Sequence, residues 1–205
     1  HRHHCYNVGE HTLHSLKEVP ARKELRLAML LHDIGKPVSM TVDEDGTTHF
    51  HGHQGISAEM AKDIMKRLRF DNDTISVVSR LVEFHDYGNG VEPDLRMVRR
   101  AVNKIGEDIM WELFLVRKAD VLAQSEYRRE EKLAALEKWQ QLFVEVQEQQ
   151  QCVSLKTLAV KGADLIALGM KPGKEMGETL KELLEYVLDH PEENVKEKLL
   201  ERVQL

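Results

Sequence analysis

The stretch LAMLLHDIGKP, Leu27–Pro37, is the centre from which the rest of the chain is organised. Apolar residues recur at helical spacing over its first half, and adjacent His32 and Asp33 stand at its end. Gly35 occupies the place where a helix stops in a left-handed turn, and Pro37 is expected to prevent the helix from resuming. The sequence therefore predicts an imidazole and a carboxylate side by side at a helix C-terminus, on a leucine-rich stem. Both are metal-ligand types. A His-Asp pair alone is an ordinary surface dipeptide; its weight here comes from the His and Asp residues that recur on either side.

Towards the N-terminus, about Val8 to Lys17 is expected to form a short helix with His11 and His14 on one side and Leu13 and Leu16 on another, anchoring it on the core. The central helix is expected over Arg22 to Ile34. Beyond it, the Asp45-Gly46 pair between Val42 and Phe50 predicts a small hairpin or tight loop, the one good strand candidate. A helix from Gln54 or Gly55 to Leu68 follows, with His53 just before it. Another, Asp73 to Phe84, ends in His85-Asp86, and Gly88 and Gly90 break the chain there. Leu95 to Ile105 and Glu107 to Ser125 complete this part, with Asp120 near the end of the second. Glu126 to Gln151 reads as a long charged helix whose stripe of Leu133, Leu136, Trp139, Leu142, Phe143 and Val146 packs on the core. A small helical module begins after Cys152.

With 205 residues the chain is long enough for a sizeable core. Aromatics at 5% and few strand-like runs point to an all-α protein. The net charge of -6 argues against a generic nucleic-acid coat while leaving room for a local basic surface. Cys5 and Cys152 form no CxxC, so neither a disulfide framework nor a zinc knot is expected, and a reducing cytoplasm is the natural compartment. No apolar run is long enough to span a bilayer, so no membrane partner is expected. The opening HRHHCYNVGEHTL lacks both Met and the apolar segment of a signal peptide. It reads as a fragment of a longer protein, with His1 to His3 as a cloning remnant.

The ligand candidates in chain order are His11, His32-Asp33, His53, His85-Asp86 and Asp120. A His, then HD, then a distant Asp on helices of one bundle resembles the HD-domain metal-dependent phosphohydrolases, and LLHDIGKP is the most specific piece of that likeness. The resemblance implies a first metal on His11, His32, Asp33 and Asp120. It implies a second through His53 and His85, with Asp33 bridging both ions. Phosphate-ester hydrolysis needs a strong nucleophile at neutral pH and positive charge against the phosphoryl oxygens, and one or two divalent cations supply both. The ligand types suit Mn, Fe, Ni, Co or Zn, and with fewer histidines Mg. Asp33 and Lys36 are the expected catalytic residues, Lys36 reaching the phosphate. His14 and Asp86 are expected to support ligands or substrate from behind.

Four segments narrow the likeness: HCYNVGEHTLHSL, LRLAMLLHDIGKP, HFHGHQGISAEMAKDIMKRLRF and LVEFHDYG. Together they resemble the HD domain attached to bacterial tRNA nucleotidyltransferases, the CCA-adding enzymes. The segment LAVKGADLIALGMKPGKEMGETLKELLEYVLDHPEENVKEKLL is similar to their C-terminal tRNA-binding region. The implied organisation is an HD bundle with a small hairpin or loop insertion over residues 1–125, a connecting helix over 126–151 and a helical tail over 152–205. In the tail, Lys171, Gly173 and Lys174 of the GMKPGK turn could hold an RNA phosphate. From Cys152 on, however, 8 Lys plus Arg stand against 10 Asp plus Glu, so the tail is no basic patch. Nothing in the sequence resembles the GG…RxD or DxD elements of a nucleotidyltransferase head, so nucleotide addition is not expected of this chain. The expected activity is hydrolysis of a phosphomonoester or cyclic phosphodiester of a nucleotide or RNA end, with tRNA as a further partner. The competing readings are a non-catalytic tRNA-binding body and a free-standing nucleotidase or dinucleoside polyphosphate hydrolase.

Overall fold

The computed structural model describes residues 7–203, and His1 to His4 and Cys5 lie outside the described residues. Among the described residues the chain is all-α apart from one two-stranded hairpin. Its helices are α1 (Val8–Glu18), α2 (Lys23–Leu31), α3 (Lys36–Ser39), α4 (His53–Arg67), α5 (Asn72–Glu83), α6 (Leu95–Ile105), α7 (Met110–Ala123), α8 (Arg129–Glu148), α9 (Gly162–Ala167), α10 (Lys174–Asp189) and α11 (Lys196–Glu201). Strands β1 (Thr41–Val42) and β2 (Thr48–His49) pair antiparallel, with the predicted Asp45-Gly46 turn between them. Gly46 there has φ +82°, which glycine adopts without a steric penalty.

Local chemistry starts several helices. Asn7 accepts from the Glu10 amide at 2.9 Å while the Glu10 carboxylate accepts from the Asn7 amide, a capping box that opens α1. Asp71 and Asp94 cap α5 and α6 through the amides of Thr74 and Met97. On α5 the apolar positions Ile75, Val78, Leu81 and Val82 recur at helical spacing and all are buried.

The chain divides into two compact units. The first runs to Glu92 and resumes over Glu107–Lys138; the second takes Pro93–Gly106 and runs on from Trp139. Helix α6 thus counts with the tail segment rather than with the helices that flank it in sequence. In the first unit α2 packs on α1, α5 and α7, and α4 packs on α5. Leu25, Met29, Met65, Leu81, Leu113 and Phe114 are fully buried there. In the second unit Cys152, Leu158, Val160, Leu165, Val187, Leu188 and Leu199 belong to one apolar core. Arg99 of α6 donates from Nε to the Leu188 carbonyl of α10 at 2.7 Å and from Nη1 to Gln151, just past α8, at 2.8 Å. No helix among the described residues is long and apolar enough to cross a membrane.

Around the central HDIGKP segment the structure corrects three expectations. Helix α2 ends at Leu31, so Asp33 lies in the turn that follows rather than on the helix. Gly35 is not left-handed; it has φ -81° and ψ -13°, and its role is close approach. A Cβ there would meet the Ser57 nitrogen at 2.7 Å and the His53 carbonyl at 2.8 Å, so only glycine lets the turn press onto the start of α4. Pro37 does not stop a helix either; it sits in the first turn of α3, where its missing N–H costs nothing. A fourth correction concerns α1, which buries His11 and Ser15 while Leu13 is 59% exposed. The face turned inward is the one bearing the ligand histidine, not the leucine face.

Candidate metal centre

Six side chains from five elements converge in the first unit. His11 comes from α1, His32 and Asp33 from the end of α2, His53 from the first residue of α4, His85 from just past α5, and Asp120 from α7. All six are buried. Their ligand atoms form two groups, His11–His32–Asp120 and Asp33–His53–His85, each with all three atoms within 4.8 Å of one another.

The four imidazoles are oriented by backbone carbonyls. Nδ1 of His32, His53 and His85 lies 2.7, 2.9 and 2.7 Å from the carbonyl three residues earlier, of Met29, Phe50 and Val82. Nδ1 of His11 lies 3.3 Å from the carbonyl of Ala123. A carbonyl only accepts, so Nδ1 carries a proton in each ring, and Nε2 is the nitrogen that offers a lone pair whenever the ring is neutral. Every Nε2 faces the carboxylates. His11 Nε2 stands 2.9 Å from Asp120 Oδ1 and 3.2 Å from His32 Nε2.

Asp33 connects the groups. Its Oδ2 lies 3.3 Å from His32 Nε2 and 3.7 Å from His11 Nε2, whereas its Oδ1 lies 3.4 Å from His53 Nε2 and 3.8 Å from His85 Nε2. One oxygen is thus directed at each triad. The Lys36 ammonium donates to Oδ2 at 2.7 Å.

The arrangement fits cations. Asp33 Oδ1 and His53 Nε2 are buried polar atoms without a hydrogen-bond partner, in a place where such atoms cost free energy. Converging lone pairs of four imidazoles and two carboxylates repel unless positive charge lies among them. Without an ion, imidazole and carboxylate compensate one another. Burial works to raise the Asp33 carboxyl, but His32 and His53 outweigh it and hold it well below the carboxylate range. For Asp120 burial is likewise outweighed, by His11 and His32. Burial also opposes a charge on His32, yet Asp120 and Asp33 raise its pKa. In the second group burial, then the charge of His32, lowers His85. The mixed N/O donor set suits Mn, Fe, Co, Ni or Zn.

A cavity of about 740 Å³ opens beside these groups, lined by His53, His85 and Asp120 as well as by Lys36 and Phe50. Its size is that of small-ligand sites. Two supporting candidates fall elsewhere. His14 is exposed and lines a separate cavity with Glu18 and Ala123, because on α1 it is turned away from the His11–Ser15 face. Asp86 lines the main cavity but does not orient His85, whose Nδ1 is taken by Val82; Asp86 accepts from Gln54 at 2.6 Å.

Sequence reasoning missed Arg117, Gln124 and Lys132, which line the same cavity. Gln124 donates to Asp120 Oδ2 at 2.8 Å, and Lys132 donates to Gln124 Oε1 at 2.6 Å. The available signal was spacing: Arg117, Asp120 and Gln124 lie three and four residues apart on one helical face. In the second unit Lys171, Gly173 and Lys174 are exposed in the turn before α10, and Lys174 lies 3.3 Å from Glu178.

The family model described as tRNA nucleotidyltransferase domain 2 matches residues 39–203. Over 189 residues the chain is 31% identical to the CC-adding tRNA nucleotidyltransferase of Thermus thermophilus, an alignment that covers 89% of this chain and 41% of that protein. Over 194 residues it is 30% identical to the A-adding tRNA nucleotidyltransferase of Deinococcus radiodurans, with 89% and 43% covered. The chain spans about two fifths of the length of these relatives.

Proposed function

This chain belongs to the tRNA nucleotidyltransferase domain 2 family, and from that premise we propose that it is the helical body and tail of a tRNA-acting protein whose body is an HD-type metal-dependent phosphohydrolase. The substrate class is a phosphomonoester or 2′,3′-cyclic phosphodiester of a nucleotide or RNA end. The observation that carries the proposal is the pair of three-ligand groups joined through the two oxygens of Asp33.

In this reading His11, His32 and Asp120 would hold one divalent ion, His53 and His85 would hold a second, and Asp33 would serve both. Such ions activate water as a nucleophile and neutralise charge on phosphoryl oxygens. The protein's own part is orientation. The carbonyls of Met29, Phe50, Val82 and Ala123 fix the rings with Nε2 inward. Lys36, held by Asp33 at the cavity wall, sets a positive charge beside the phosphate oxygens. The test is hydrolysis of a generic phosphodiester and of 2′,3′-cyclic AMP by chelator-treated protein resupplied with Mn, Ni, Co or Mg, beside Asp33→Ala. Turnover restored by metal and lost in Asp33→Ala supports the reading. A folded protein without turnover under any metal overturns it.

A second reading fits the family match and the names of the relatives, which are nucleotide-adding enzymes acting on tRNA, more closely than the first does. There the chain grips tRNA without catalysis, and the exposed Lys171–Lys174 turn contributes a phosphate contact. Binding of tRNA by the chain, reduced in Lys171→Ala/Lys174→Ala and unaccompanied by hydrolysis, would favour it.

A further inference from the structure

We infer that the cavity beside the metal centre binds a nucleotide carrying two phosphate groups, and that Lys132 reads the phosphate that is not hydrolysed. The inference rests on the phosphohydrolase reading of the same site.

Two ammonium groups line this cavity at different places. Lys36 is bonded to Asp33 Oδ2, beside both triads, where the phosphate under attack would lie. Lys132 instead stands behind Asp120. The Oδ1 of that aspartate faces His11 at 2.9 Å, while its Oδ2 accepts from Gln124, and Lys132 lies beyond the Gln124 amide. Lys132 therefore reaches the cavity beside Asp120, one side-chain amide from a ligand of the first triad, whereas Lys36 is bonded to Asp33.

Asp120, reached through the Gln124 amide, offsets part of the Lys132 charge, and Asp86, Glu92 and Glu131 line the same cavity. The ammonium is partly buried and donates to the neutral Gln124 amide, and it forms no ion pair among the described residues. Partly buried ammonium groups ordinarily face a carboxylate or an anionic ligand. Burial lowers its pKa, as expected of a cation kept out of bulk water. Arg117 adds a second cation to the same wall, one helical turn before Asp120 on α7. Phe50 and Val91 supply apolar lining for a base in the same cavity, and about 740 Å³ accommodates a nucleotide. A nucleoside with a 3′- or cyclic phosphate and a second phosphate at its 5′ position has that form. It can be a free bisphosphate or the 3′ end of an RNA.

The test compares adenosine 3′-monophosphate, adenosine 3′,5′-bisphosphate and the dinucleotide ApA bearing a 3′-phosphate. Binding is measured by calorimetry on the chelator-treated chain, with hydrolysis of 2′,3′-cyclic AMP run separately on the metal-resupplied chain. The added 5′ phosphate should tighten binding about tenfold, the factor carried by one charge-assisted hydrogen bond. That ratio should fall to about one in Lys132→Gln and persist in Lys132→Arg. Equal preference for the dinucleotide supports RNA ends as the source, and preference for the bisphosphate alone supports a free nucleotide. A ratio near one in the parent chain overturns the inference. So does a Lys132→Gln variant that weakens all ligands together, which would make Lys132 only a brace for Gln124. Hydrolysis without the bisphosphate preference removes the inference and leaves the phosphohydrolase reading; the preference without hydrolysis removes the reading alone.

Discussion

The two units solve the problem of burial in opposite ways. The second fills its centre with apolar side chains and keeps its ion pairs outside, where Arg96 and Arg100 meet Asp189 at 2.6–2.8 Å. The first buries four imidazoles and two carboxylates beside its apolar core. Burying charge costs several kcal/mol per ion unless it is compensated; Lys36 and the raised pKa of His32 offset part of the carboxylate charge, and cations in the two groups would offset more. Stability that depends on a ligand in one unit, and on packing in the other, is the contrast that experiment can attack.

The largest expected effect is on metal-linked stability. A divalent ion at hundredfold excess over its Kd should raise the Tm of the first unit by roughly 5–10 °C, and Asp33→Ala should abolish that rise. Differential scanning calorimetry with and without chelator measures it. An unchanged thermogram on adding any of the candidate metals would erase the contrast between the units.

Leu165→Ala probes the other side. Leu165 is fully buried, and truncation should cost about 2–5 kcal/mol by cavity formation. Urea unfolding should show a lower midpoint that metal does not restore. Recovery on adding metal would mean that the second core also depends on the ions.

Gly35→Ala is a mixed case. Its Cβ would strike the backbone of α4, costing about 1–3 kcal/mol by overpacking. Because Gly35 follows Asp33 closely, metal affinity should fall roughly 10–100-fold, as for other residues that orient ligands. Calorimetric metal titration would show whether packing loss and affinity loss travel together.

The smallest effect is electrostatic. Hydrogen bonds from the Thr74 amide and hydroxyl hold the Asp71 carboxyl at about 2. Since this folded-state value lies below the unfolded one, the contribution is complete above roughly pH 4 and fades as pH falls through about 2. Asp71→Asn keeps the cap on α5 but should flatten that part of the acid-stability curve. An acid limb with the same slope in both proteins would assign it to other carboxylates.

Much of the architecture was legible in advance because it is local. The α5 stripe, the Asp45-Gly46 hairpin and the buried Leu136, Trp139, Phe143 and Val146 of α8 follow from periodicity and turn chemistry. The HDIGKP turn was misread for an equally physical reason. Gly35 and Pro37 punctuate helices when only their own backbone is considered. Here the requirement comes from Ser57 and His53, 22 and 18 residues away in sequence, whose approach is not written in the local pattern.

The six proposed ligands, for their part, were identifiable by residue type and by resemblance. What the sequence determined by itself is the set of helices and the stock of imidazoles and carboxylates at their ends, because backbone propensity and side-chain identity are properties of neighbouring residues. Tertiary structure decided that α6 counts with the tail, that His14 turns outward and that Asp33 directs one oxygen to each triad. It also decided that Lys132 stands behind Asp120. These are relations between groups far apart along the chain. They are set by which faces of the helices pack together, which no local pattern encodes.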